Sequence, residues 1–490
     1  MLYRMLATMA HRRPDAIAVR TANGEAVTYQ ELLAHVDRMA EGLAARQVGR
    51  GDVVACRGLR NSTGYVAFIL AVAKTGAVYV PLIREFDREG LDEAIRRTRP
   101  MFVVTEDEHH LVSPTVDSVA LKELESAGPP PVSSPAERDA VDGPFRILWS
   151  SGSTGFPKMI SWRQDKLLQE RKRWVRHIGL TDTDVVFCGH TLDVAHATDL
   201  HLFAALLAGA PLVLGEPESE PERLLGELEG TGATMMSALP RHYAQLADAA
   251  DTQKDAERPT LSALRLPLCG GTYVGSNLVA RCRRSLGIVL CEIYGSTEFG
   301  LAAVDLPSAP AVSRHLPLVT GVEARLEPIA GAGRDEAGEL VLSSPWTSEG
   351  YLHSEVAHLR TFRDGEYWTG DVAQRDDSGR YRILGRVSES LPATHGLLFT
   401  PGLDEDLVAH CPVAEAVSVV ADLDDPDVRV HVVVRPAPGR AAEEVRAEVR
   451  ARLVGHHGLT GDVVVTDTIP RTAVGKPNKA LIRSRAGADQ

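Results

Sequence analysis

The sequence predicts an α/β protein: a large, multi-subdomain N-terminal α/β domain with parallel sheets, followed by a small C-terminal α+β domain. Three observations carry that expectation. The chain has 490 residues, more than one ordinary domain holds. Its first hundred residues alternate strand and helix patterns, the signature of βαβ units and a mainly parallel sheet. Its tail, from about Val387, starts again with compact strand and helix signals of its own.

Taken in order, Tyr29 to Ala45 reads as an amphipathic helix with Thr28 as its N-cap. Val53-Val54-Ala55-Cys56 reads as a buried strand. Thr63 to Lys74 reads as a helix ended by Gly76, and Ala77 to Pro81 as the next strand. Gly128 to Gly143, rich in Pro, Ser and charge, reads as a surface connection into a new strand, Arg146 to Trp149. From Tyr367 the pattern tightens into short strands and turns. Ala416 to Ala421, Arg429 to Val434 and Ala441 to Leu453 supply the elements of the tail. No internal repeat or low-complexity tract interrupts this order.

The composition narrows the function. The apolar share is 44% and the formal net charge is −13. An acidic chain with no basic face is not expected to bind nucleic acid or an anionic membrane. No run of about 18 apolar residues points to a membrane span. The first ten residues lead directly into His11-Arg12-Arg13-Pro14 and do not read as a signal peptide. Six scattered cysteines, none in a CxxC or zinc-type spacing, read as reduced, buried thiols, and a cytoplasmic location is expected.

One segment carries chemistry on its face. Ser150-Ser151-Gly152-Ser153-Thr154-Gly155-Phe156-Pro157-Lys158 follows a strand directly. Glycines let the backbone approach phosphate oxygens, N–H groups and hydroxyls donate to them, and Lys158 adds positive charge. It is not a Walker A loop, which needs four residues between its first Gly and a Gly-Lys-Ser/Thr ending.

This loop resembles the phosphate-binding loop of the adenylate-forming superfamily, which includes acyl-CoA synthetases, nonribosomal-peptide adenylation domains and firefly luciferase. Three further segments match in the family's order. Tyr294-Gly295-Ser296-Thr297-Glu298 resembles its Tyr-Gly-x-Thr-Glu motif. Thr369-Gly370-Asp371, with Gly385-Arg386 downstream, resembles its Thr-Gly-Asp … Gly-Arg pair. Pro470-Arg471-Thr472-Ala473-Val474-Gly475-Lys476 resembles its C-terminal Pro-x-Thr-x-x-Gly-Lys motif. One such match is weak; four in order at family spacing reinforce one another.

The resemblance implies an ATP- and Mg²⁺-dependent, AMP-forming ligase with an N-terminal adenylation core over 1–386, which includes a small barrel-like part. A mobile lid over 387–490 carries the catalytic lysine. It implies that Ser150 to Gly155 and Lys158 hold the triphosphate, with Thr154 acting in catalysis. Glu298 holds magnesium, for which a carboxylate is a suitable hard ligand. Gly270, Gly271 and Thr272 run along the adenine, and Tyr294 stacks on it, flanked by Gly295, Ser296 and Thr297. Asp371, whose carboxylate suits a ribose diol, Ile383 and Arg386 meet the ribose or phosphate. Lys476 bridges the attacking carboxylate and the α-phosphate, where negative charge builds in the transition state. In the acid pocket it implies Asp193, His196, Leu200, Gly271 and Gly295, with His196 at the position where amino-acid-activating members place an Asp.

The chain departs from the family in two places. Ser388 occupies the hinge position that is usually acidic, the usual lysine nearby is absent, and Pro392 stiffens the stretch. The acidic residue expected after Gly270-Gly271 is Thr272. The segment His190 to His201 is also unusually polar, which argues against a fatty-acid tunnel, because unpartnered polar groups against alkyl chains are costly. A small polar or aromatic acid is the expected substrate. The spacing of His190, Asp193, His196 and Asp199 fits no standard metal site. The expected acceptor is a thiol of coenzyme A or of the phosphopantetheine of a separate carrier protein. Two alternatives stand beside it. One is an amine acceptor, as in an amide-bond synthetase or a diazotase-like enzyme activating nitrite, with His196 orienting a substrate or acting as base. The other is a non-catalytic nucleotide-binding relative.

Overall fold

The computed structural model describes residues 1–84, 86–107, 112–125, 143–150, 156–217, 219–253, 260–306, 315–329, 337–393, 396–421, 430–471 and 476–486. The expected connection Gly128 to Gly143, apart from its last residue, lies outside them, as do Ser151 to Gly155 of the serine-glycine loop and Thr472 to Gly475 of the C-terminal motif.

The local predictions hold closely in the first hundred residues. The helix Tyr29–Ala45 is capped by Thr28, whose side chain accepts from Glu31 N–H while Glu31 reaches back to Thr28 N–H. That reciprocal pair satisfies two of the donors a helix start leaves open. The helix Thr63–Thr75 ends at Gly76, which sits at φ 75°, a left-handed conformation that costs glycine least. Tyr65 to Ala73 are all buried, so this helix is apolar all round and touches strands of two different sheets.

Those two sheets organise the large domain. One has seven strands, in the order Gly350–Leu352, Met159–Arg163, Pro144–Trp149, Val78–Pro81, Val53–Cys56, Val103–Thr105, Ser118–Ala120. From Pro144–Trp149 onward its neighbours run parallel, as expected. The other has eight, running from Gly300–Val304 and Cys291–Ser296 through Leu266–Gly270, Met235–Ala238, Val186–Cys188 and Leu212–Leu214 to Ile17–Thr21 and Ala26–Thr28. Only its two outermost pairings are antiparallel. The largest buried cluster fills the space between them, from Leu2 to Tyr381.

A third, five-stranded antiparallel sheet contains the ten-residue strand Glu366–Arg375, paired on its far half with Tyr381–Arg386. Two expectations are corrected here. The stretch after Tyr367 begins with a long strand, not short ones. The expected barrel-like part is an open, branched sheet among the described residues: Glu323–Pro328 lies at one edge, and Phe362–Arg363 and Tyr381–Arg386 share the strand at the other.

Beyond Arg386 come a single 3₁₀ turn, a short hairpin, and a three-stranded sheet of Val413–Val420, Val430–Pro436 and Gly461–Val465 packed with three helices. Its core is separate, built from residues such as Leu403, Leu407, Val432 and Val449, as the α+β reading of the tail expected. Among the described residues no helix is long and apolar enough to cross a membrane. All six cysteines are free thiols; five are buried, but Cys411 is only half-buried, a correction to the all-buried reading.

Candidate active site

The four motifs meet at one cleft of about 2570 Å³, larger than a single small ligand needs and roomy enough for a nucleotide and an acid together. The described ends of the serine-glycine segment border it. Trp149 anchors the strand before the loop, donating from Nε1 to Pro81 O at 2.6 Å. Ser150 N–H donates to Lys158 O at 2.9 Å. Ser150 and Lys158 line the cleft; Ser151, Gly152, Ser153, Thr154 and Gly155 lie outside the described residues.

Lys158 and Glu298 approach the same ring. Lys158 Nζ lies 4.7 Å from the Tyr351 ring centroid, and Tyr351 OH donates to Glu298 Oε1 at 2.9 Å. Trp162 Nε1 donates to Thr297 O at 2.8 Å and fixes the backbone that carries Glu298. Glu298 is 8% exposed and lines the cleft. A buried carboxylate facing a phosphate-sized space, with oxygen lone pairs beyond the one Tyr351 uses, suits magnesium, a hard cation that prefers oxygen ligands.

Gly295, Ser296 and Thr297 also line the cleft. Gly295 is required by the neighbouring strand: a Cβ there would sit 2.3 Å from Gly300 O. Tyr294 OH donates to Asp371 Oδ2 at 2.6 Å, and Arg386 Nε pairs with Asp371 Oδ1 at 2.9 Å. Both oxygens of the expected ribose carboxylate are therefore already engaged, each with lone-pair capacity left for a diol. Burial pushes the Asp371 carboxyl up, opposed by Arg386 and then by the Tyr294 hydroxyl. Ile383 lies beside them on the cleft wall. Along the adjoining wall, Gly271 and Thr272 reach the cleft, whereas Gly270 ends a buried strand behind it. Gly271 sits at φ 81°, and a Cβ there would lie 2.8 Å from Leu239 and 3.8 Å from Lys476 Cε.

Lys476 arrives from the small domain. Beside it Asn478 N–H donates to Pro470 O at 2.8 Å and Arg471 bridges to Pro477. Lys476 lies against Gly271. Burial, then the Arg386 charge, pulls its pKa down; Glu298 and Asp371 oppose that. Glu389, next to the hinge position Ser388, accepts from Lys479 Nζ at 2.6 Å and Thr400 Oγ1 at 3.0 Å.

Asp193, His196 and Leu200, expected at the acid pocket, line the same cleft. Asp199 does not serve as a free polar group: it forms a two-point ion pair with Arg146, at 2.5 and 2.7 Å. Burial pushes the Asp193 carboxyl up, with a Thr191 hydrogen bond opposing it. Sequence reasoning missed Ser237 and His242. His190, His196 and His201 all bond to Ser237, and the His242 ring lies 5.2 Å from His190. Ser237 gave one signal, a polar residue inside the apolar run Met235 to Leu239.

The profile of the AMP-binding enzyme family matches residues 6–352. The chain belongs to that family. It is an AMP-forming ligase. Over 495 residues it is 29% identical to a feruloyl-CoA synthase of an Amycolatopsis species, covering 98% of this chain and 97% of that one. It is 28% identical over 465 residues to a salicylyl-CoA synthase / salicylate adenylyltransferase of a Streptomyces species, covering 90% and 81%. Its fold matches that of ATP-bound MatB from Rhodopseudomonas palustris with a TM-score of 0.85, at 23% identity and 99% coverage of both chains.

Proposed function

We propose that this ligase activates a small polar or aromatic acid as its acyl-adenylate and transfers the acyl group to a thiol of coenzyme A or a carrier protein. The observation that supports it most is Lys476, carried from the small domain into the cleft shared by Glu298, Asp371 and Arg386. In this reading residues 1–386 form the adenylation core and 387–490 the lid.

ATP lies with its triphosphate along Ser150 to Gly155 and Lys158, Thr154 contributing its hydroxyl. The adenosine runs past Gly271, Thr272 and Tyr294, and its ribose meets Asp371, Ile383 and Arg386. Glu298 would hold a magnesium ion, which supplies charge neutralisation at the phosphates. The acid enters between Gly295, Gly271, Leu200, Asp193 and His196 with its carboxylate at Lys476. A carboxylate oxygen attacks the α-phosphorus, the bond to the β-phosphate oxygen breaks, and pyrophosphate leaves. The Lys476 ammonium sits where charge accumulates, a placement that lowers the barrier without moving atoms. A thiolate then attacks the acyl carbon and AMP departs.

A second reading, an amine acceptor, draws on the hinge. Ser388 stands where the family carries an acidic residue that serves the rotation between adenylation and thioester formation. A pyrophosphate- and AMP-release screen over small acids, nitrite included, with coenzyme A or amines added, tests both. Turnover that rises with coenzyme A is the expected result. Release that ignores thiols and rises with an amine overturns the acceptor assignment, and absence of pyrophosphate from every acid overturns the function.

A further inference from the structure

The acid pocket contains a hydrogen-bond relay whose polarity can be read atom by atom. Ser237 is fully buried, and three histidines hold it. His190 Nε2 lies 3.2 Å from Ser237 O. A carbonyl oxygen only accepts, so the His190 proton is on Nε2 and its Nδ1 carries a lone pair. His201 Nε2 accepts from Ser237 N–H at 3.1 Å, and its Nδ1 lies 3.2 Å from His196 O. That fixes the tautomer of His201 and fastens His196 to the same strand. Ser237 Oγ lies 2.9 Å from His196 Nε2 and has no other partner among the described residues.

Among the described residues the serine proton therefore has one acceptor. Were His196 Nε2 the donor, the Ser237 hydroxyl would be a buried donor with no partner among the described residues, a costly arrangement. The serine donates, and His196 carries its own proton on Nδ1. His190 and His196 both line the cleft, their ring centroids 4.6 Å apart, and neither Nδ1 has a partner among the described residues. One of these nitrogens accepts and the other donates.

We infer that the acid bound here carries a hydroxyl substituent, which accepts from His196 Nδ1–H and donates to His190 Nδ1. This rests on the acid-activating reading above and narrows its substrate class. A second carboxylate would meet the His190 lone pair, and an ammonium would meet the His196 donor with Lys476 nearby. A plain hydrocarbon edge would leave both nitrogens dry and unpaired, which is how sites built for a hydroxyl reject the analogue lacking one. Burial favours the neutral forms that this pattern requires: it holds His190 down at about 4 and His196 well below its ordinary value.

The test is pyrophosphate release by the full-length protein with benzoate, cinnamate, their 2-, 3- and 4-hydroxy counterparts, the matching methyl ethers and the matching carboxy, amino and carboxamide acids. At least one hydroxy acid is expected to exceed both its parent and its methyl ether by about ten- to a hundredfold in kcat/KM. Ser237 acts as a positioning residue, so Ser237→Ala should bring that ratio to within about threefold of unity. A merely structural defect would lower both acids alike and leave the ratio in place. If Ser237→Ala does not fold, Ser237→Cys, which keeps a weaker donor, should give an intermediate ratio. Release without preference for the hydroxyl, a preference for the carboxy, amino or carboxamide acid, or a ratio that survives the serine change overturns the inference alone. No release from any acid overturns the reading beneath it.

Discussion

Glu405 of the small domain caps a helix of the large one. Its Oε1 accepts the Ser276 N–H at 2.9 Å and the Ser276 hydroxyl at 2.5 Å, and its Oε2 accepts the Tyr273 hydroxyl at 2.7 Å. The helix Ser276–Ser285 has Gly275 at its N-cap and no cap side chain of its own. A carboxylate supplied from the other domain meets both the open N–H and the positive end of the helix. The same domain orientation puts Lys476 against Gly271, so this cap and the placement of the lysine are two consequences of one closure.

Removing the cap should loosen that closure. Glu405→Ala loses charge-assisted bonds worth about 1–2 kcal/mol together, which corresponds to a roughly tenfold fall in adenylation. Acid-dependent pyrophosphate exchange measures it. Thioester formation from preformed acyl-adenylate uses a different step and should fall less. Equal loss in both half-reactions, or none in either, would show that the contact does not set the closure.

The motifs legible in the sequence were those whose chemistry is local. The serine-glycine loop, Tyr294 to Glu298 and Thr369 to Asp371 each announce themselves within a few residues, and Thr28 marked the start of its helix. What stayed hidden is chemistry made by pairs far apart in sequence. Arg146 and Asp199 are 53 positions apart, and Ser237 is 41 from His196. Glu170, which receives the Leu301 N–H at 3.0 Å across 131 positions, is fully buried with Arg171 and Arg173. Glu170 stands in the charged run Gln169 to Arg173 and His196 and Asp199 in a polar segment, whereas Arg146 and Ser237 are each a polar residue within an apolar stretch. Such a residue must have a buried partner, but spacing alone does not say which.

The Arg146–Asp199 pair should be a stability element. Arg146 is 1% exposed on its side chain and Asp199 13%. Asp199→Ala leaves the guanidinium buried without its counter-charge, a loss of about 3–5 kcal/mol. The double change Arg146→Met/Asp199→Leu should recover most of it, because two apolar groups need no partner. Urea midpoints of the wild type and the two variants decide this, and a double variant as weak as the single one would refute it.

The histidine cluster predicts acid sensitivity. Burial holds His201 and His242 at about 3 and His190 at about 4, while unfolded imidazoles titrate near 6.5. Between about 6.5 and 4 the unfolded chain binds more protons than the folded one, so stability falls as pH drops through that window. Melting temperature against pH should decline below about 6.5. The decline should be shallower in His242→Gln, whose ring no longer titrates. An unchanged slope in that variant would remove His242 from the account.

Lys476 carries the last prediction. Lys476→Ala should abolish most acid-dependent pyrophosphate exchange while leaving ATP binding, measured directly, within a few-fold of wild type, because the lysine serves the charge that develops on transfer rather than the ground state. Its lowered pKa adds a second signature. Burial and the Arg386 charge favour the neutral amine, so the free enzyme loses this proton at a pH below the ordinary lysine value of about 10.4. The alkaline limb of kcat/KM for ATP in the exchange reaction reports the free enzyme and should fall in that lower range. In Lys476→Arg, whose guanidinium stays charged, the limb should move upward even if the rate is poor. Exchange near the wild-type rate in Lys476→Ala, or an alkaline limb indifferent to Lys476→Arg, would take the lysine out of the chemistry.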